Sequence, residues 1–159
     1  MKLLPRALLD ELAAKAAASP RGRAHYNIHA TPADLVQRFV VVARAESYFR
    51  PHRHASRSEL AVVLRGRFDV LTFDARGRVS ERCGVGEGTD NMAYESPQGV
   101  WHTVVPAADG GAFLEIKEGP YDPVTATEYA TWAPAEGDAA VPKFTAWLRG
   151  ARPGDLPSG

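Results

Sequence analysis

The chain has 159 residues, enough for one ordinary domain with its own core, and its 45% hydrophobic fraction is that of a globular protein. Nineteen basic residues balance nineteen acidic ones, so the chain lacks the overall positive field that exchanges counterions with nucleic-acid phosphates. No apolar run is long enough to span a bilayer; the absence of an export signal and the single cysteine point to a reducing cytoplasm.

The first predicted element is a helix over residues 6–18, where Leu8, Leu9, Leu12 and Ala16 form one apolar face and the alanines favour the helical state. Ser19 and Pro20 stop it, so residues 1–19 read as a helix packed on the β domain. The segment "RGRAHYNIHATPADL" is polar and irregular and fits a loop or a short edge strand. From residue 36 the pattern becomes β: "VQRFVVVA", "SELAVVLR", "RFDVLTFD", "RVSERCGV", "VWHTVVP" and "GAFLEIKE" are short runs rich in β-branched residues. Turn signals separate them, among them Gly66, residues 74–78, residues 86–88, the "PQG" at 97–99 and the "DGG" at 109–111. Evenly spaced short strands without intervening helices predict an antiparallel sandwich or jelly-roll barrel over residues 20–133. Cys83, closing one such run, reads as a small packed side chain. Val141, Phe144, Trp147 and Leu148 then recur at helical spacing within a segment 134–149, and residues 150–159 read as a disordered tail.

Within the β region, "YFRPHRHASRSELAVVLRG" carries the chemistry. His52 and His54 are two apart, so on a strand they share a face. Glu59 opens an apolar strand on which Glu59, Ala61 and Val63 share one side. His102 comes after a Pro-Gly turn at the start of another strand. Three imidazoles and a carboxylate make a mixed nitrogen and oxygen donor set suited to one divalent transition metal such as Fe, Mn, Zn or Ni, with positions left open for water or substrate.

The spacing His-x-His, four residues, Glu, six residues, Gly in "HRHASRSELAVVLRG" resembles the first cupin motif, and "PQGVWH" resembles the Pro-x-Gly-x-x-His core of the second. The resemblance implies a cupin-type jelly-roll β-barrel, with an N-terminal and a short C-terminal helix added, and metal ligation by His52, His54, Glu59 and His102. The sequence departs from the pattern at Glu46, where a glycine is usual, and at Pro106, where an asparagine is usual; neither position is a ligand. Across most of the chain, "LLDELAAKAAASPRGRAHYNIH", "PHRH", "WHT", "EIKEGPYDP" and "WAPAEGD" are similar to the WbuC family of cupin-fold metalloproteins. That likeness implies a link to sugar or nucleotide-sugar metabolism in bacterial surface-polysaccharide (O-antigen) synthesis, and it supplies no reaction.

Other polar residues are candidates to surround the metal. His25, Asn27 and His29 alternate and can face a barrel mouth together as substrate-binding groups, with Tyr26 among them a candidate proton donor. Arg50 is a natural clamp for a phosphate or carboxylate. On "FLEIKEGPYD", Phe113, Glu115 and Lys117 share one face and Leu114 and Ile116 the other. If the first face is interior, Glu115 and Lys117 are a buried pair able to orient a ligand or move protons. Trp101 should point away from His102 into core packing. The functional expectation is a metal-dependent isomerase or epimerase acting on a small sugar-derived ligand. An Fe(II)-dependent dioxygenase and a non-catalytic metal-dependent binder or sensor are the alternatives. Sheet edges that need covering make a homodimer the expected assembly.

Overall fold

The computed structural model describes residues 1–157, so the last two residues of the expected tail lie outside it. Helix α1 (Ala7–Ala18) is followed by the strands β1 (Arg23–Asn27), β2 (Val36–Ala43), β3 (His52–Arg53), β4 (Glu59–Phe73), β5 (Val79–Gly86), β6 (Ala93–Ser96), β7 (Trp101–Glu118) and β8 (Glu128–Tyr129), and then by helix α2 (Val141–Gly150). Every strand pairing is antiparallel. Two layers share the long strands β4 and β7. The first half of β4 and the second half of β7 join β1, β2 and β6 in the order β1–β2–β7–β4–β6. Their remaining halves join β5, β3 and β8 in the order β5–β4–β7–β3–β8. This is the jelly roll that the strand pattern predicted.

Two of the expected turns are not turns. Gly66 and the "DGG" segment sit in the middle of β4 and β7, where the strands bend from one layer into the other without reversing. The register slips between Val63 and Arg65 and again between Gly66 and Phe68, and Gly66 faces Gly111 across the bend. Close approach is the reason for glycine here. Gly66 has φ +71°, and a Cβ on it would lie 2.5 Å from the Gly110 carbonyl oxygen.

Alternation on the strands separates three packed regions. Val41, Ala61, Phe68, Val70, Val104 and Phe113 point between the layers and form the barrel interior. Val40 and Val42 point the other way and meet Leu9 and Leu12 of α1, which explains why "FVVVA" is apolar without interruption. Leu71, Phe73, Val79 and Val105 point outward from the second layer and meet Phe144 and Leu148 of α2. Trp101 packs against this same cluster.

Two expectations are corrected by the packing. Cys83 is exposed on β5, an edge strand that pairs only with β4 among the described residues. The segment after α2 is held in place as far as Asp155. Val79 N–H donates 2.9 Å to Asp155 O, Gly154 N–H donates 2.8 Å to Val79 O, and Arg82 donates to the carbonyls of Leu148 and Ala151. A polar tail stays ordered when its backbone continues the hydrogen bonding of an edge strand. No described helix is long and apolar enough to cross a membrane.

Candidate metal centre

The two layers bring the donors together from separate parts of the chain. His52 lies in β3 directly opposite His102 of β7, while Glu59 opens β4 opposite Lys117 and Ser96. One ligand atom from each of His52, His54, Glu59 and His102 fits within a mutual separation of 4.8 Å. His54, Glu59 and His102 are 3%, 4% and 2% exposed, so solvent reaches them only through the cavity.

The orientation of each imidazole is set by the backbone. Nδ1 of His52 donates to Arg50 O at 2.9 Å, Nδ1 of His54 to Ala126 O at 2.6 Å, and Nδ1 of His102 to Val100 O at 2.9 Å, with Ser96 Oγ also 2.9 Å away. With the proton committed to Nδ1, each Nε2 keeps its lone pair for the shared space around Glu59. His54 Nε2 is 2.9 Å and His102 Nε2 3.7 Å from the Glu59 carboxylate. His102 Nε2 is buried with no hydrogen-bond partner among the described residues. Such an orphan is costly unless another species completes it, and three imidazoles with one carboxylate are the donor chemistry of a divalent transition metal. The residues fit the ion.

The electrostatics favour the ligand-competent forms of His52 and Glu59. Burial, aided by neighbouring His102, pushes the His52 imidazole down to about 3, which keeps it neutral. Burial alone would raise Glu59, but the adjoining imidazoles of His102 and His54 and the charge of Lys117 hold it well below the usual carboxylate range. His102 is shifted up, since Glu59 outweighs the effect of burial.

These residues line a cavity of about 510 Å³ between the layers. Glu115 and Lys117 face into it from β7: Lys117 Nζ lies 2.6 Å from Glu115 and 3.4 Å from Glu59, and 5.4 Å from the centre of the Phe39 ring. Burial and then Glu59 raise the Glu115 carboxyl, whereas burial of the Lys117 ammonium is overridden upward by the two carboxylates. His25, Asn27, His29 and Arg50 also line the cavity. Of these His29 is buried, its Nδ1 accepting the Arg38 N–H at 3.0 Å, and Arg50 donates to Ala130 O at 2.8 Å.

Tyr26 is a correction: it does not line the cavity, and packs with Leu9, Leu12 and Val40 on the opposite face of β1. Its neighbours in sequence are cavity residues because alternation sends His25 and Asn27 one way and Tyr26 the other. Sequence reasoning missed Tyr94, whose phenol is driven well up by burial and by Glu59 and Glu115, and the apolar wall of Phe39, Phe49 and Phe113. It also missed Arg21, Arg23 and Glu136 at the rim. The available signal was the unexplained "RGR" ahead of the polar β1 segment.

Residues 4–85 match the family model described as a domain of unknown function, DUF6016. No curated protein matches the chain in sequence. Among solved structures it is similar to the protein TT1209 from Thermus thermophilus, with 15% identity and a TM-score of 0.55 over 74% of this chain and 97% of that one. Oxalate decarboxylase from Bacillus subtilis aligns with 18% identity and a TM-score of 0.54, over 86% of this chain and 38% of the enzyme. The DMSP lyase DddQ from Ruegeria pomeroyi aligns with 21% identity and a TM-score of 0.54, over 72% and 54%. At these identities the likeness is one of fold, the cupin-type jelly roll.

Proposed function

The chain belongs to the DUF6016 family, a domain of unknown function, and from that premise we propose that it is a metal-dependent enzyme acting on a small sugar-derived molecule. One observation carries this reading: the lone pairs of His52, His54 and His102 converge with Glu59 beside the Glu115–Lys117 pair, in one 510 Å³ cavity. The proposed reaction is isomerisation or epimerisation. His52, His54, Glu59 and His102 would hold a divalent Fe, Mn, Zn or Ni ion, which would supply Lewis acidity toward a carbonyl or hydroxyl oxygen of the substrate. The chain supplies the proton traffic. Glu115, raised by burial, takes a proton from the substrate carbon and returns it; Lys117 holds Glu115 and Glu59 in register. His25, Asn27 and Arg50 bind the polar end of the ligand, and Phe39, Phe49 and Phe113 exclude water.

The resemblance to the WbuC family supports a place in surface-polysaccharide synthesis, the single cysteine supports a reducing cytoplasm, and the sheet edges support a homodimer. The same donor set and apolar wall support a second reading, an oxygen-dependent Fe(II) reaction.

Elemental analysis of protein purified without chelator or nickel resin tests the first step. About one equivalent of metal is expected in the native chain, and none in His102→Ala. Incubation with candidate sugars in D2O tests the second, because isomerisation by Glu115 places deuterium on the substrate carbon. Saturable binding without exchange or oxygen uptake would reduce the protein to a binder, and a native chain that takes up no metal would sink the reading altogether.

A further inference from the structure

The rim of the cavity carries a charge arrangement that the metal chemistry leaves unused. Arg21, in the turn before β1, and Arg23, its first residue, both bond one carboxylate, Glu136, on the loop before α2. Arg21 Nε lies 2.6 Å from Oε2 and its Nη2 2.9 Å from Oε1, and Arg23 Nη2 bonds Oε1 as well. Arg23 is held by a 2.7 Å bond to the Tyr48 carbonyl and lies 4.7 Å over the Phe49 ring. Arg50 approaches from the other wall. Its guanidinium sits 5.3 Å over the Tyr129 ring, and its Nε is buried with no hydrogen-bond partner among the described residues. Arg21, Arg50, Tyr129 and Glu136 wall a recess of about 350 Å³, and all four also line the main cavity.

Two guanidiniums thus hold one carboxylate, Arg50 lines the same recess, and the carboxylate stays partly open to solvent. Its side chain is 32% exposed, so a dissolved anion can compete with it for the guanidiniums. The next residue, Gly137, has φ +85° with no atom within 4 Å of a built Cβ, so nothing packs on that side of the chain beside Glu136. A planar or tetrahedral oxyanion on a ligand presents the same oxygens as Glu136 and can also reach Arg50, whose Nε has no partner among the described residues.

We propose that Arg21, Arg23 and Arg50 form an anion subsite at the cavity mouth, occupied by the chain's own Glu136 until the carboxylate or phosphate of a ligand displaces it. The substrate is then a small molecule with an anionic group at the rim and its reacting end beside Glu115. This deepens the reading of the cavity as a small-molecule site, but it does not depend on the metal.

Calorimetric titration at low salt with glucose 6-phosphate, glucuronate, inorganic phosphate and neutral glucose separates the possibilities. The native chain should bind at least one of the anions and not glucose; the preferred anion tells phosphate from carboxylate. Glu136→Gln, with its internal competitor neutralised, should bind that anion about fivefold tighter, and Arg50→Gln about tenfold weaker. Glu136→Ala provides a second version of the first change, and thermal unfolding checks that each variant is folded. His102→Ala should keep anion binding while losing metal, so the fate of the metal reading is read separately. The proposal is overturned if neither Glu136 variant binds any of the three anions more tightly than the native chain, or if Arg50→Gln binds them equally well.

Discussion

Glu59 is the residue on which the site turns. It is 4% exposed, lies 2.9 Å from His54 Nε2, faces His102 and lies 3.4 Å from the Lys117 ammonium. A buried carboxylate so placed stays ionised only while cations or donors surround it. Lys117→Met therefore leaves Glu59 and Glu115 in one apolar space with no cation between them. Breaking a buried ion pair in this way should cost about 3 kcal/mol, measured by urea unfolding, and adding Glu115→Gln should recover much of the loss. At the rim the sign runs with acid. Burial raises Glu136, but its bonds to Arg21 and Arg23 outweigh that and lower its pKa. A depressed carboxyl adds stability above its unfolded value and loses it as pH falls through the folded one. Between about pH 6 and about pH 3 the unfolding midpoint of the native chain should fall further than that of Glu136→Gln; an equal fall would assign no stabilising role to the pair.

At the scale of elements, the long strands β4 and β7 do most to build the site, because each spans both layers and the bend between their halves brings Glu59 toward His102. Gly66→Ala places a Cβ 2.5 Å from the Gly110 oxygen at positive φ, so thermal unfolding should show a loss of more than about 1 kcal/mol. The strand content was legible in the β-branched runs. Their continuity was not, since a glycine that closes a hairpin and one that lets two strands bend together look alike in a local window. Only the pairing of Gly66 with Gly111 distinguishes them. The tail was misjudged for a related reason: its polar side chains carry no core signal, whereas its order comes from backbone bonds to β5.

In the whole molecule, the helices seal the outer faces of the two layers and leave the space between them for chemistry: α1 covers Val40 and Val42, and α2 covers Leu71 and Phe73. Leu148, 1% exposed in the α2 contact, is remote from the metal donors. Leu148→Ala should cost about 3 kcal/mol in denaturant unfolding and leave metal stoichiometry unchanged; loss of both would mean that α2 supports the site directly. By itself the sequence singled out as a group the four residues that the fold brings together, His52, His54, Glu59 and His102, because their spacings resemble the two cupin motifs. It also determined the mainly β class, through residues whose branching suits a pleated, half-buried surface. Only the tertiary structure decided that Glu115 and Lys117 turn inward and Tyr26 outward. Alternation defines two faces of a strand, but which face is covered depends on what the rest of the chain lays against it. The rim is the extreme case. Arg21 and Glu136 lie 115 residues apart and carry no mutual signal in sequence, and only the closing of the barrel makes them partners.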